Sequence, residues 1–178
     1  RETIESCVEL GIKNLTLYVF SVDNWKRPKS EVNALMKLLV RSVKNEIEDI
    51  NKNNIRVRII GSLDQLSKSV KNELVNASNL TFRNDGLNLN LAISYGSKTE
   101  IINALKQIIE KVKKNIISIE NIDEKLINEH LYTKISKDVD LLIRTGGEFR
   151  LSNFLLWQNS YAELLFYDML WPDFRKKD

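Results

Sequence analysis

The chain predicts an α/β fold, an open and mostly parallel sheet with helices on both faces, and two observations carry that prediction. Short apolar, β-branched runs alternate with longer stretches whose apolar residues recur every three or four positions. Two of the short runs also empty directly into polar, chemically capable text, as strands do at the carboxyl edge of such sheets. At 178 residues with 43% hydrophobic content, the length suits one domain, residues 1–178, with its own core.

The elements follow in order. Residues 1–10 read as a helix, with Ile4 and Val8 on one face and Gly11 where a C-cap belongs. Residues 15–20 form a short buried strand, and a polar loop, 21–30, follows it. From 31 to about 51, Val32, Leu35, Met36, Leu39, Val43, Ile47 and Ile50 mark a long amphipathic helix. Residues 55–60 alternate apolar side chains with Arg56 and Arg58 and end at Gly61, which places this strand nearer the sheet edge. Ser62 and Gln65 have capping-box spacing ahead of a helix that buries Leu66, Val70, Leu74 and Ala77. A strand at 87–93 precedes a second capping box, Ser97 with Glu100, and a helix striped by Ile101, Ile102, Leu105, Ile108, Ile109 and Val112. The polar stretch 111–121 reads as a surface excursion. A short helix at 123–131, a short buried strand at 141–144, a helical turn or two at 152–158 and a last strand at 164–166 complete the chain.

Composition excludes several partners. Lys and Arg exceed Asp and Glu only by 27 to 24, too mild a surplus for a nucleic-acid surface. The longest apolar run falls well short of the ~20 residues of a membrane span. A single cysteine, Cys7, makes no internal disulfide; it reads as helix packing and fits a reducing, cytoplasmic setting.

Chemistry is concentrated after two strands. Phe20 leads into Ser21, Asp23, Asn24, Trp25, Lys26 and Arg27, which taken alone read as a solvated loop around a half-buried tryptophan. Arg144 leads into Gly146, Gly147, Glu148, Arg150 and Ser152. Glycines permit close backbone approach, their N–H groups cradle oxyanions, and guanidinium forks match phosphate oxygens, so a diphosphate fits there. A tight turn with incidental surface arginines fits the same residues. Gly146-Gly147 is neither a P-loop nor a dinucleotide fingerprint, which gives no support to ATP or NAD. Glu163 and Asp173 read individually as surface carboxylates, and His130 as a structural residue without partners.

In sequence order, Phe20, Ser21, Asn24, Trp25, Arg27, Pro28 and Glu31, then Leu87 to Asn90, then Arg144 to Glu148 with Arg150 and Ser152 to Phe154, then Trp157-Gln158, Tyr161 to Glu163 and Trp171 to Phe174, resemble the cis-prenyltransferases, the undecaprenyl and dehydrodolichyl diphosphate synthases. The resemblance runs nearly the whole chain. It implies a six-stranded parallel sheet, a homodimer and a hydrophobic tunnel for the growing product, with Val32, Leu35, Met36 and Leu39 beside the strands as its correlate here. It implies condensation of isopentenyl diphosphate with an allylic diphosphate such as farnesyl diphosphate, giving a long-chain cis-polyprenyl diphosphate. By the same resemblance Arg144, Arg150 and Ser152 hold the isopentenyl diphosphate, Glu163 is associated with Mg2+, and Ser21, Asn24, Trp25, Arg27 and Glu31 belong to a mobile segment that closes over substrates. Ser21, Asn24 and Arg27 are the catalytic candidates, Trp25, Arg27 and Glu31 substrate contacts. A cytoplasmic location is the expectation, with peripheral membrane contact through the lipid product.

Three departures stand out. The family's Asp-Gly-Asn-x-x-Arg-Trp segment, with its magnesium-binding aspartate and phosphate loop, is expected ahead of Arg1, so the 178 residues are expected to be inactive without it; further sequence is expected after Asp178 as well. Phe149 replaces the histidine of some members, and Ser97-Lys98 stands where many have Gly-Arg. The rivals are a non-catalytic partner subunit of a cis-prenyltransferase complex, against which the retention of Arg144, Arg150, Ser152 and Glu163 argues, and a nucleotide-binding α/β domain.

Overall fold

The apolar runs read from the sequence are all strands, and every strand pair is parallel. The structure, a computed structural model, describes residues 1–136 and 138–178. Its contacts divide the chain into two compact units, Arg1–Tyr95 with Arg175–Asp178, and Gly96–Phe174.

In the first unit, helix α1 (Glu2–Glu9) and Gly11, at φ +69°, lead into strand β1 (Asn14–Ser21). A 3-10 turn, Val22–Lys26, precedes helix α2 (Lys29–Lys52), strand β2 (Arg56–Ile60), helix α3 (Lys68–Leu80) and strand β3 (Asn88–Tyr95). The sheet order is β1-β3-β2, so β2 lies at an edge as its alternating arginines predict. The side of β2 away from β3 is not left raw. Thr81, fully buried at the end of α3, accepts the Val57 N–H at 3.0 Å and donates to the Ala77 carbonyl at 2.9 Å. One buried hydroxyl thus serves a strand edge and a helix end together.

Two apolar clusters give this unit its core. Val32 and Met36 of α2 meet Leu66, Val70 and Leu74, Phe20 and Ile93; farther along, Ile47, Ile50, Ile4 and Cys7 pack on Ile55, Val57, Leu87 and Leu89. The packing gathers α1, α2 and α3 on the sheet face of Leu89, Leu91 and Ile93.

The second unit holds helices α4 (Ser97–Lys113) and α5 (Glu124–His130), then strands β4 (Leu141–Thr145) and β5 (Glu163–Tyr167), which pair from Leu141 with Glu163 to Thr145 with Tyr167. Only Leu142 of β4 is buried, so the expected buried strand is half exposed, with Leu141 and Ile143 open to solvent. The five strands read from the residues are all present, as sheets of three and two. The sixth strand came only with the family resemblance and has no counterpart among the described residues.

Both capping boxes are corrected. The Ser62 hydroxyl is bonded to Asp64, and α3 is capped five residues later by Ser67, whose oxygen accepts the Val70 N–H. Helix α4 is capped from far along the chain: Asn153 accepts the Ser97 N–H with its carbonyl at 2.8 Å and the Lys98 N–H with Oδ1 at 2.9 Å. That releases Ser97 and Glu100 for the interior. Ser97 Oγ accepts the Leu156 N–H, and the buried Glu100 carboxylate accepts from the Tyr132 N–H at 2.7 Å and Gln158 Nε2 at 3.1 Å. These partners compensate the burial of a charge. Residues 152–158 are successive turns rather than a helix, because Ser152, Asn153 and Leu155 take left-handed backbone angles of +50°, +60° and +46°.

Candidate active site

At the carboxyl end of β1, the Ser21–Glu31 segment closes on itself through named bonds. Asn24 Oδ1 accepts the Ser21 N–H at 2.8 Å, and Ser21 Oγ accepts the Asn24 N–H at 3.2 Å, a reciprocal capping box one turn long. Arg27 donates to Glu31 at 2.7 Å across the start of α2, both side chains about half exposed. The segment is therefore an ordered turn rather than loose solvated text. Trp25 sets its ring edge-on to Phe20, centroids 5.1 Å apart, and its indole N–H donates to Ser94 Oγ at 2.8 Å. Sequence reasoning missed Ser94; its only trace is a serine that follows the apolar Leu91-Ala92-Ile93 run near the end of β3.

Beside the sheet face, a cavity of about 380 Å³ runs along α2, lined by Phe20, Leu35, Met36, Leu39, Val43 and Leu91 among others. Leu35, Met36 and Leu39 line it as the tunnel reading expected, whereas Val32 belongs to the core cluster. Charged groups line part of it too: Arg1 faces Glu5 at 2.8 Å, Asp49 at 3.4 Å and Glu46 at 3.8 Å, carboxylates that raise its affinity for its proton, the Glu5 hydrogen bond foremost.

In the second unit, the carboxyl end of β4 brings together three of the predicted residues. Arg144 Nη1 donates to Ser152 Oγ at 2.7 Å and to the Arg150 carbonyl, and Arg150 pairs with Glu148. The left-handed angle of Ser152 helps turn the chain back onto Arg144. The glycines behave differently from the sequence expectation. Gly146 and Gly147 sit at φ +91° and +70°, and their N–H groups donate to the Met169 and Tyr167 carbonyls, so neither is spare for an oxyanion. These glycines are needed for backbone angle, and anion binding falls to the guanidinium groups and the serine.

Glu163 opens β5 opposite Leu141, three register steps from the Arg144–Phe166 pair, or about 10 Å along the strand. The structure does not gather it with the arginines of this unit. Among the described residues no group of three His, Cys, Asp or Glu side chains could hold a metal, so the residues present do not on their own build a magnesium site. Phe149 is exposed, its ring tilted against that of Phe166 with centroids 5.4 Å apart. His130 has partners after all, accepting from Lys111 Nζ and donating Nδ1–H to the Leu126 carbonyl, each at 2.7 Å. No helix of the described residues is long and apolar enough to cross a membrane.

The family model described as "Putative undecaprenyl diphosphate synthase" matches residues 1–178. An isoprenyl transferase of Clostridium tetani is 47% identical over 176 residues, covering 99% of this chain and 69% of the relative. The ditrans,polycis-undecaprenyl-diphosphate synthase of Escherichia coli, described as (2E,6E)-farnesyl-diphosphate specific, is 43% identical over 178 residues, 100% of this chain and 70% of the relative. Among solved structures, lavandulyl diphosphate synthase from Lavandula x intermedia in complex with dimethylallyl diphosphate matches with a TM-score of 0.96 and 35% identity, over 99% of this chain and 77% of that one. A probable undecaprenyl diphosphate synthase from Campylobacter jejuni matches at 0.89 and 41%, over 99% and 82%.

Proposed function

We propose that this chain, which belongs to the undecaprenyl diphosphate synthase family of prenyltransferases, lengthens an allylic diphosphate such as farnesyl diphosphate by cis addition of isopentenyl diphosphate units. The observation that carries the assignment of roles is the Arg144–Ser152–Arg150 cluster beyond β4, where a guanidinium is already aimed by a hydroxyl and a carbonyl. Arg144, Arg150 and Ser152 hold the isopentenyl diphosphate, with charge-assisted bonds that a neutral turn lacks.

In each cycle the C–O bond to the allylic diphosphate breaks, the isopentenyl double bond forms the new C–C bond, and a proton leaves the adduct. Ser21, Asn24 and Arg27 stabilise the charge of the departing diphosphate, and Trp25 and Glu31 position it. In the free protein Ser21 and Asn24 satisfy each other, and Arg27 is held by Glu31. Substrate therefore exchanges bonds with this segment rather than meeting bare polar groups, which limits the reorganisation left for the reaction itself. The apolar cavity along α2 receives the growing chain, favoured by about 0.8 kcal/mol per buried CH2.

The reaction is proposed to need Mg2+, with Glu163 as one carboxylate contact, and to proceed in a cytoplasmic homodimer that touches membrane through its lipid product. The experiment supplies the full-length protein with farnesyl diphosphate and labelled isopentenyl diphosphate, with and without Mg2+, beside Arg150→Ala. Magnesium-dependent polyprenyl products, lost in the variant, support the reading. A folded wild-type protein that incorporates nothing overturns it in favour of a non-catalytic partner subunit.

A further inference from the structure

We infer that Ser94 is a positioning residue, a latch at the end of the central strand that holds Trp25, and with it the Ser21–Glu31 segment, in its working place. Three observations converge on it. The ladder between β1 and β3 pairs Phe20 with Ile93 and Ser21 with Tyr95, so Ser94 is passed over. Its backbone stands at φ +49°, in the left-handed region that serine seldom adopts. Its hydroxyl, in a residue only 3% exposed, accepts the Trp25 indole N–H at 2.8 Å. Strand irregularities of this kind re-aim a side chain, and strained angles persist only where the surroundings enforce them.

Here the surroundings do so. Ser94 O accepts the Ser62 N–H at 3.3 Å, and Gly61, at φ +116°, leaves room for the bulged strand: a Cβ there would stand 2.1 Å from the Ile93 carbonyl oxygen. Phe20 holds the other side of the indole. The short capping box between Ser21 and Asn24 fixes the turn's shape but ties it to nothing else. Beyond the ladder pairing of Ser21 with Tyr95, the Trp25–Ser94 bond fastens the far part of the turn to β3, two residues before Arg27. This role rests on the proposed function.

The test uses two variants that remove the hydroxyl with opposite effects on the backbone. Ser94→Gly relaxes the left-handed angle, and Ser94→Ala keeps the strain. In the full-length protein, both are expected to lower kcat/KM for isopentenyl addition by about threefold to tenfold. Both should also speed solvent exchange of the Trp25 indole N–H, followed by NMR and assigned by its disappearance in Trp25→Phe. In a Trp25→Phe background, Ser94→Gly should change kcat/KM little, because the bond is already gone. Unchanged indole exchange in both variants overturns the latch. So does activity that tracks melting temperature, with Ser94→Gly retaining wild-type kcat/KM. If the wild-type enzyme makes no product, the proposed function fails, while the exchange measurement still decides whether Ser94 holds Trp25.

Discussion

Arg144 shows how a single side chain acquires a function from its neighbours. A surface arginine explores many rotamers, but this one is held by a hydroxyl and a main-chain carbonyl within eight residues of sequence. Removing it takes away a charge-assisted contact worth about 1.5–3 kcal/mol, roughly a tenfold to hundredfold change in rate. Arg144→Ala should therefore lower kcat/KM for isopentenyl diphosphate by that factor in a steady-state assay. Arg144→Lys should recover little of it, because a point-charge ammonium lacks the fork that engages both oxygens of a phosphate. Equal activity of the lysine variant and wild type would show that charge alone suffices.

Helix α4 illustrates what a local reading of an element leaves out. Ser97 and Glu100 have the spacing of a capping box, yet both are buried and bonded to residues 132, 156 and 158. The cap is supplied by Asn153, whose left-handed angle lets both of its oxygens face the helix start. Losing such a cap costs about 1 kcal/mol, or about 2–4 °C in Tm for a chain of this length. Asn153→Ala should show at least that drop by calorimetry. Asn153→Gly, which keeps the backbone angle available, should lose less, and the difference between the two measures the strain.

For the molecule as a whole, the cavity and the exposed apolar surface make separate predictions. The α2 cavity of about 380 Å³ is bounded by Leu39, so Leu39→Trp should fill it and shorten the polyprenyl products resolved by chromatography, with the first additions unaffected. Products of unchanged length would mean that the chain grows elsewhere. In the second unit, Ile102, Leu105 and Ile109 of α4 and Leu141, Ile143, Leu164 and Leu165 of the strand pair are all more than 40% exposed. Exposed apolar groups in this number support the proposed homodimer. Sedimentation velocity should find a dimer for wild type and a smaller species for Leu164→Asp combined with Ile143→Asp.

Strands and helices were legible because burial imposes a period: the heptad-like spacing on α2 and the short β-branched runs have few other solutions. The arginine–serine cluster was legible too, since Arg144, Gly146, Gly147, Arg150 and Ser152 lie within nine residues and one turn must bring them together. What depended on distant segments was not. Asn153 capping α4, Thr81 serving β2, Ser94 holding Trp25 and the glycine N–H groups spent on the Tyr167 and Met169 carbonyls all join residues whose separation in sequence carries no period. Local order thus follows from side-chain chemistry and spacing along the chain. The choice of partner for each polar group follows from which segments packing brings within about 3 Å.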